Sequence, residues 1–338
     1  MKKYSFLVSG LALMMLATGT VKAEETPVVN GSSLRVTKSF ELTEGVLSPA
    51  TDFTFSITPQ NVADSTETKD GLTVYSGIVN DMVTQKTILY SNTDTMETKD
   101  KTTDFDFSGV NYPKPGVYRY LVTETSGNTP GVTYSTKKYV VDVYALDEAG
   151  TIKPKYIVSR QEGGEAKEPI KFDNALKTTS LTVKKSVTGN AGDKNKEFGF
   201  TITLKADDHY KNGSKIFAKV NDKTGTSTDK ELSMGANQFT LKDGESLSID
   251  KLPIGITYKV EENKLEDYKV SAELTENNQA KTYNFTEQIS DETPDTIVVT
   301  NNKNINTPTG VAMAIAPYAV MTLVGIGGVL YFVKNKKA

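Results

Sequence analysis

The sequence has no cysteine and only one histidine, His209, among its 338 residues. Without cysteine the chain can have no disulfide bond, no thiol nucleophile and no thiolate metal site. A zinc site of the H-E-x-x-H type is also excluded, and a Ser-His-Asp triad could be built only around His209. The flanking residues, A-D-D-H-Y, could offer metal ligands, but they are more typical of a solvated polar loop. We therefore predict neither a metal site nor a cofactor.

The sequence also lacks a strong excess of either charge, since its formal net charge is −3. This balance argues against nucleic acid as a partner. The acid-rich segment 92–106 lacks the D-x-D-x-D-G order and the final glutamate of a calcium loop, and we interpret it as a long polar loop. A hydrolase with two catalytic carboxylates is the enzyme alternative, and a screen for turnover of polysaccharides and peptides should be negative.

Long apolar runs occur only near the two ends of the sequence. Residues 1–23 have two lysines at their start, then an apolar stretch and a final Val-Lys-Ala, which indicates a secretory signal peptide removed before Glu24. Residues 311–333 are almost wholly apolar and long enough to cross a bilayer, and the basic tail 334–338 should remain cytoplasmic. We therefore expect the intervening chain to be exported.

No stretch between residues 30 and 300 has a long helical period with capping residues. Short alternating runs of Thr, Val, Tyr, Phe and Ile are instead separated by Gly, Pro, Asn and Asp, which indicates an all-β fold with many turns. The length suggests two domains. We predict two tandem β-sandwiches, 32–176 and 177–303, joined within the segment A-L-K-T-T-S.

The two halves of this region repeat each other. The strand S-L-R-V-T-K-S-F at 33–40 recurs as S-L-T-V-K-K-S-V at 180–187, and each is followed by a Phe-containing strand, at 53–57 and at 198–204. Each half then has a proline-glycine turn with an alternating strand, at 112–124 and 252–262, and a closing strand, at 170–174 and 297–301. This repeat predicts that the two units share one architecture.

In each half, three strands have one face that is apolar except for a single polar residue. This residue is a lysine in the first strand, a glutamate in the second and an asparagine in the third. These are Lys38, Glu124 and Asn174 in the first half and Lys185, Glu262 and Asn301 in the second. One such lysine usually packs its stem on the core and keeps its ammonium in water, but a trio repeated in the same order favours a shared mechanism. Lys184, Glu261 and Asn302 adjoin the second trio, and alternation places them on the outer face.

Buried together, such side chains can form an amide bond. Desolvation lowers the pKa of a lysine and raises that of a glutamate, so a neutral amine and a protonated carboxyl become available. The carboxyl can polarise the asparagine carbonyl and relay protons while the amine attacks and ammonia leaves. The product replaces a buried charge by a neutral amide. The reaction is a single autocatalytic turnover, so we do not interpret the chain as an enzyme.

With these features the chain resembles the Gram-positive pilus backbone subunits, in particular the streptococcal major pilins of the T-antigen type. The resemblance extends from the signal peptide through both units to the C-terminal tail. It implies immunoglobulin-like sandwiches of the CnaB type, each with a spontaneous isopeptide bond. The implied bonds are Lys38–Asn174, assisted by Glu124, and Lys185–Asn301, assisted by Glu262.

The segment 304–310 contains the sequence N-T-P-T-G directly before the apolar run. It departs from the general sortase signal LPxTG, because the leucine is absent and Pro308 adjoins Thr309, but it is similar to the variant signals of T-antigen pilins. The resemblance implies that a pilus-specific sortase cuts between Thr309 and Gly310. The Thr309 carboxyl would then join a lysine of an identical subunit, which grows a head-to-tail fibre. The alternative is a single-pass protein with a proline-containing linker.

The resemblance favours Lys167, in the loop E-G-G-E-A-K-E-P, as the lysine that accepts this bond. The rival is Lys114 in N-Y-P-K-P-G, which resembles the pilin motif of other backbone subunits but is also typical of an exposed turn. Minor tip and base pilins and host-surface ligands are further implied partners, in a surface pilus anchored to the cell wall. A monomeric wall-anchored adhesin with the same domains is the alternative.

Overall fold

The structure, a computed structural model, describes residues 27–42, 44–62, 67–211 and 213–306. Within these ranges the chain folds almost entirely into β-strands, and the one helical element is a 3-10 turn, Met96–Thr98. No helix in these ranges is long and apolar enough to cross a membrane. The prediction of an all-β fold is confirmed.

Several sequence predictions concern residues outside these ranges. They are the signal peptide 1–23, the membrane segment 311–333, the basic tail 334–338 and the cleavage residues Pro308, Thr309 and Gly310. They stay predictions.

The strands between residues 28 and 176 form the first β-sandwich. They are β1 Val28–Asn30, β2 Ser33–Glu41, β3 Thr51–Pro59, β4 Thr68–Lys69, β5 Leu72–Ser76, β6 Gln85–Tyr90, β7 Asp100–Asp106, β8 Gly116–Thr125, β9 Val132–Thr133, β10 Lys138–Glu148, β11 Thr151–Gln161 and β12 Ile170–Leu176. One sheet has the order β1-β11-β10-β8-β3-β6, with β5 beside β8 and β4 beside β5. The other has the order β7-β2-β12-β9, and both contribute apolar side chains to one buried core.

The strands between residues 178 and 302 form the second β-sandwich. They are β13 Thr178–Thr188, β14 Phe198–Lys205, β15 Lys215–Asn221, β16 Ser227–Ser233, β17 Gly235–Leu241, β18 Ser246–Pro253, β19 Thr257–Glu262, β20 Lys269–Glu276, β21 Gln279–Thr282, β22 Gln288–Ile289 and β23 Asp295–Asn302. The sheets have the orders β16-β15-β18-β13-β23-β20-β21 and β17-β14-β19-β22. Only one residue separates β12 from β13, so the first sandwich leads directly into the second.

In each sandwich the first long strand lies parallel to the last one, and the register is the same in both. Lys38 on β2 lies opposite Phe172 on β12, and Lys185 on β13 lies opposite Val299 on β23. The asparagine stands two residues beyond the lysine's partner, so its side chain projects from the same face of the sheet as the lysine. The parallel register therefore brings lysine and asparagine together.

The glutamate of each unit comes from the opposite sheet. Glu124 is on β8, which pairs with β3, and Glu262 is on β19, which pairs with β14. The residues that alternate with these glutamates along the strands, such as Val122 and Val260, are fully buried. Each glutamate consequently faces the lysine and asparagine across the core.

The acid-rich segment 92–106 is not the long polar loop that we predicted. It contains the 3-10 turn Met96–Thr98 and the strand β7, which pairs antiparallel with β2. In β7 only Phe105 is fully buried, because the strand lies at the edge of its sheet and its other side chains reach solvent. An edge strand of this kind has too few apolar residues to be recognised by alternation.

His209 lies at the junction between the two sandwiches. Its backbone carbonyl accepts hydrogen bonds from the Ala50 N–H at 2.7 Å and from the Asn92 side chain at 2.8 Å. Its ring nitrogen Nδ1 lies 2.9 Å from a carboxylate oxygen of Asp207. Leu47 of the first sandwich also packs against the core of the second. In the described part of the chain, no group of His, Cys, Asp or Glu side chains could hold a metal ion.

Candidate crosslinking sites

The first site lies in the core of the first sandwich and consists of Lys38, Glu124 and Asn174. The side chains of Lys38 and Glu124 are fully buried, and Asn174 is 3% exposed. The Lys38 Nζ atom lies 3.3 Å from Glu124 Oε2, and Asn174 Nδ2 donates a hydrogen bond of 2.5 Å to Glu124 Oε1. One carboxyl group therefore contacts both the amine and the amide.

The second site repeats this arrangement with Lys185, Glu262 and Asn301. The Lys185 Nζ atom lies 3.4 Å from Glu262 Oε1, and Asn301 Nδ2 donates to the same oxygen at 3.0 Å. The Lys185 and Glu262 side chains are at most 2% exposed, and Asn301 is fully buried. All six predicted side chains are thus brought together in two trios, one in each sandwich.

The residues that adjoin the second trio lie outside the site. Lys184 is exposed, and Glu261 is paired on the surface with Lys259 at 2.7 Å. Asn302 donates a hydrogen bond to the Thr188 hydroxyl at the rim of the sandwich. The structure therefore directs these neighbours away from the core, as alternation along a strand requires.

A phenylalanine ring that was not among the predicted site residues covers each lysine. Lys38 Nζ lies 4.2 Å from the centroid of the Phe53 ring, and Lys185 Nζ lies 4.3 Å from that of Phe198. The two phenylalanines begin the equivalent segments F-T-F-S-I and F-G-F-T-I-T-L, so the repeat itself was a signal that could have identified them. The rings exclude water from the amines.

Burial shifts the pKa values of both lysines and of Glu262 in the direction that favours amide formation. Desolvation lowers the pKa of Lys38 to about 8, against the opposing effect of Glu124, and lowers the pKa of Lys185 to about 8 against that of Glu262. Burial also raises the pKa of Glu262 above its ordinary value, and Lys185 opposes this shift. A larger fraction of each lysine is therefore a neutral, nucleophilic amine near neutral pH than in water.

Backbone carbonyl groups hold each amine beside the strand that carries the asparagine. Lys38 Nζ donates to the carbonyl oxygens of Phe172 at 3.2 Å and Ser39 at 3.3 Å, and Lys185 Nζ donates to that of Val299 at 3.3 Å. Each amine is therefore oriented by backbone carbonyl groups as well as by its contact with the glutamate. The arrangement can support attack of an amine on a neighbouring amide, because the reacting groups are already gathered in one water-excluded space.

The two sites differ at the asparagine carbonyl. The backbone N–H of Ser135 donates to Asn174 Oδ1 at 3.1 Å and to Glu124 Oε1 at 3.2 Å. Asn301 Oδ1 is buried and has no hydrogen-bond partner among the residues that the structure describes. Ser135 was not among the predicted site residues, and no sequence pattern could have revealed it, since every residue but proline has a backbone N–H.

Both candidate acceptor lysines are exposed, but their surroundings differ. Lys167 lies between β11 and β12, beside Arg160 in an isolated bridge, and within the described ranges its ammonium has neither an ion pair nor a hydrogen bond. The ammonium of Lys114 lies 4.3 Å from the centroid of the Tyr75 ring. Lys114 is therefore held by a cation–π contact, whereas Lys167 is free to approach another molecule.

The chain leaves the second sandwich alongside Asn190. The side chain of Asn190 donates to the Ile305 carbonyl at 2.9 Å and accepts from the Ile305 N–H at 2.8 Å. The Lys303 carbonyl accepts a hydrogen bond of 3.0 Å from the Ala191 N–H. These contacts fix the chain as far as Ile305. The predicted sorting sequence N-T-P-T-G begins at the next residue, Asn306.

Comparison with known proteins places both sandwiches in sequence families. The family described as the Spy0128-like isopeptide containing domain matches residues 34–177, and a family described as a domain of unknown function, DUF7601, matches residues 179–303. The first description agrees with the trio that lies in the first sandwich.

The chain is also similar to whole proteins of known type. It is 42% identical to a pilin of Streptococcus pyogenes serotype M1 over an alignment of 350 residues that covers 100% of both chains. The solved structure of the major pilin protein T3.2 from Streptococcus pyogenes has a TM-score of 0.77 at 43% identity, covering 82% of this chain and 100% of that one. A part of 133 residues is 36% identical to the pilus tip adhesin Cpa of Streptococcus pyogenes, covering 39% of this chain and 18% of the adhesin. The predicted fold of tandem β-sandwiches is confirmed.

Proposed function

The chain belongs to the family of streptococcal major pilins, and on that premise we propose that it is the backbone subunit of a covalently polymerised surface pilus, crosslinked inside each sandwich by a Lys–Asn isopeptide bond. The observation that carries this proposal is the pair of buried trios in matching parallel register. Burying a lysine and a glutamate in a core costs free energy of desolvation. Two copies of the same buried trio in the same register therefore favour a shared reaction.

The reaction begins with the neutral amine of the lysine. In the first site, Lys38 Nζ attacks the side-chain carbonyl carbon of Asn174, and a new C–N bond forms while the bond to Nδ2 breaks. Glu124 contacts both nitrogens, so it can take the proton from the attacking amine and deliver it to the leaving one, which departs as ammonia. Lys185, Glu262 and Asn301 have the same roles in the second site.

The proposed product is more compatible with the core than the starting groups are. An amide is neutral and can accept and donate hydrogen bonds, whereas the lysine and the glutamate form a desolvated ion pair. The loss of ammonia to solvent also makes the step effectively irreversible. The chain needs no cofactor for this reaction, and because it modifies itself once, it is a structural protein and not an enzyme.

We propose that subunits are joined by a second kind of isopeptide bond. A pilus-specific sortase would cleave between Thr309 and Gly310 and transfer the Thr309 carboxyl to Lys167 of the next subunit. The free, exposed ammonium of Lys167 supports this choice over Lys114, which contacts Tyr75. Identical subunits linked in this way form a head-to-tail polymer that does not close.

The proposed partners follow from this assembly. They are the sortase, identical subunits and minor tip or base pilins, and the similarity to the pilus tip adhesin Cpa over one part of the chain is consistent with a tip partner of related construction. The polymer would be anchored to the cell wall, where it could meet host-surface ligands. The alternative, a monomeric wall-anchored adhesin, uses the same domains.

Immunoblots of cell-wall extracts from a strain that expresses the chain test the polymer. We expect a ladder of covalent multimers that collapses to a monomer with Lys167→Arg and persists with Lys114→Arg, since arginine keeps the charge but cannot form the amide. A single anchored species from the unmodified chain would support the monomeric adhesin. A ladder that is lost with Lys114→Arg and kept with Lys167→Arg would reverse the assignment of the acceptor.

A further inference from the structure

We propose that the backbone N–H of Ser135 is a catalytic hydrogen-bond donor in the first crosslinking site, and that the second site works without such a donor. The inference rests on the proposed function, because it concerns the rate of the proposed isopeptide reaction. The Ser135 nitrogen lies 3.1 Å from Asn174 Oδ1, the atom on which negative charge would develop. The corresponding atom of the second site, Asn301 Oδ1, is buried and unpartnered in the described structure.

The charge changes during the reaction give this hydrogen bond its importance. When Lys38 Nζ attacks the amide carbon of Asn174, the electron pair of the C=O double bond moves onto Oδ1. When the bond from that carbon to Nδ2 breaks, the pair returns and the carbonyl re-forms. The proton lost by Nζ reaches Nδ2 through Glu124, so that lysine and carboxamide give one substituted amide and one ammonia. A fixed N–H beside Oδ1 stabilises the intermediate oxyanion without any reorganisation.

The same N–H also contacts the proton relay. Ser135 donates to Glu124 Oε1 at 3.2 Å, and this is the oxygen that accepts the hydrogen bond from Asn174. The donor therefore holds the carboxyl group and the amide in one relative orientation. As charge moves to Oδ1 in the transition state, the hydrogen bond to Oδ1 should strengthen, because an ionised acceptor is bound more tightly than a neutral one.

The difference between the sites has a structural cause at the edge of the strand that carries the asparagine. β12 pairs with β9 only at Ala175 and Leu176, so no strand covers this edge beside Asn174 and the chain after β9 can direct the Ser135 N–H to the side chain. β23 is instead paired along its full length with β20, and Val270 lies opposite Asn301. The backbone hydrogen bonds between β20 and β23 therefore occupy the strand edge that is open to the Ser135 N–H in the first site.

The first bond should therefore form faster than the second in the same chain. Loss of one oxyanion donor slows acyl-transfer reactions by about 10²–10³-fold where it has been measured. In both sites the glutamate contacts the lysine, at 3.3 and 3.4 Å, and accepts a hydrogen bond from the asparagine, at 2.5 and 3.0 Å, so both sites have the proton relay and only the first has the donor. We expect a difference of at least about tenfold in rate, allowing for the sharing of this N–H between two acceptors.

Cell-free translation of the full chain gives a direct test. Samples quenched at successive times in acidic denaturant are digested, and mass spectrometry measures the fraction of linked peptides at each site. Suppression of a stop codon at position 135 with lactic acid replaces the N–H by an ester oxygen, while Ser135→Ala keeps the N–H and serves as the matched control. A second ester, at Thr136, controls for the ester itself, since the Thr136 N–H makes no hydrogen bond within the described ranges.

We expect the ester at 135 to slow the first bond at least about tenfold and to leave the second unchanged, with both controls close to the unmodified rate. An unmodified chain in which the second bond forms as fast as the first would overturn the inference, even if the ester variant fails to fold. A wild-type rate in the ester variant would also overturn it. If the unmodified chain forms neither bond, the proposed function itself is wrong.

Discussion

At the scale of single residues, the lysine in each core is the group from which the proposed chemistry starts. Lys38 is fully buried under the Phe53 ring, and its Nζ atom lies 3.3 Å from the carboxylate of Glu124. Such an ion pair gains less from mutual attraction than the two charges lose by desolvation, unless other contacts compensate. When the ammonium proton passes to Glu124 and the neutral amine then forms the amide with loss of ammonia, both charges are removed. The unfavourable starting state and the favourable product therefore have the same cause, which is burial.

The pKa of Lys38 predicts how the rate of the first bond depends on pH. Burial lowers this pKa to about 8, so the neutral fraction of the amine is about 1% at pH 6 and about 10% at pH 7. Because only the neutral amine attacks, bond formation in newly synthesised chain should accelerate roughly tenfold between these pH values and level off above pH 8. Mass spectrometry of samples quenched at each pH measures the rate. A rate that is independent of pH from 6 to 8 would contradict this role of the neutral amine.

At the scale of strands, alternation and repetition in the sequence were sufficient to locate much of the site. The apolar faces predicted for 33–40, 112–124 and 170–174 are buried, and each directs its one polar residue into the core. Alternation within one strand does not predict that β2 pairs in parallel with β12, because the pairing and its register depend on contacts between residues distant in the chain. The edge strand β7 was not predictable because it has too few apolar residues, and the donation from Ser135 was not because every residue but proline has a backbone N–H.

At the C-terminal end of the second sandwich, Gly189 combines a positive φ with close packing against the backbone of Lys303. Gly189 has φ of +92°, and a Cβ atom added there would lie 2.2 Å from the Lys303 carbonyl oxygen. Gly225 has nearly the same φ, +91°, but a Cβ atom there would meet nothing within 4 Å. The two positions therefore separate the effect of a positive φ from that of a steric clash.

We predict that Gly189→Ala lowers the free energy of unfolding more than Gly225→Ala does. The matched control should cost about 1 kcal/mol from its positive φ, and Gly189→Ala about 2–3 kcal/mol, because the segment at Lys303 must also move. Denaturant unfolding is measured in a Glu262→Ala background, so that no crosslink restrains the second sandwich. Equal losses for the two variants would show that the contact with Lys303 has no energetic importance.

At the scale of the whole molecule, the proposed crosslinks differ in the load that each would carry in a polymer. Tension that enters at Lys167 passes into β12 within three residues and continues into β13. From Lys185 it can cross the second isopeptide bond to Asn301 and leave along the C-terminal chain. The first bond, Lys38–Asn174, lies outside this covalent path. By analogy with disulfides, each bond would also stabilise its domain by about 4–5 kcal/mol, because each closes a loop of more than a hundred residues.

Force spectroscopy on chains held at Lys167 and at the C-terminal end should show this difference. Glu262→Ala should allow the second sandwich to unfold, with an extension of about 350–400 Å from the chain between Lys185 and Asn301. Glu124→Ala should add no comparable step, since only the few residues from Lys167 to the junction lie in the loaded part of the first sandwich. A long first-sandwich extension in Glu124→Ala would contradict this path of the load.

The intact mass of recombinant residues 24–309 tests the central claim most directly. Each isopeptide bond releases one ammonia, about 17 Da, so the mature chain should be lighter than its translated sequence by two ammonias. Glu124→Ala and Glu262→Ala should each restore one of them, and Lys184→Ala, a change beside the second site that leaves the trio intact, should restore neither. The full calculated mass in the unmodified chain would contradict the account, and the two buried trios would then be ion pairs only.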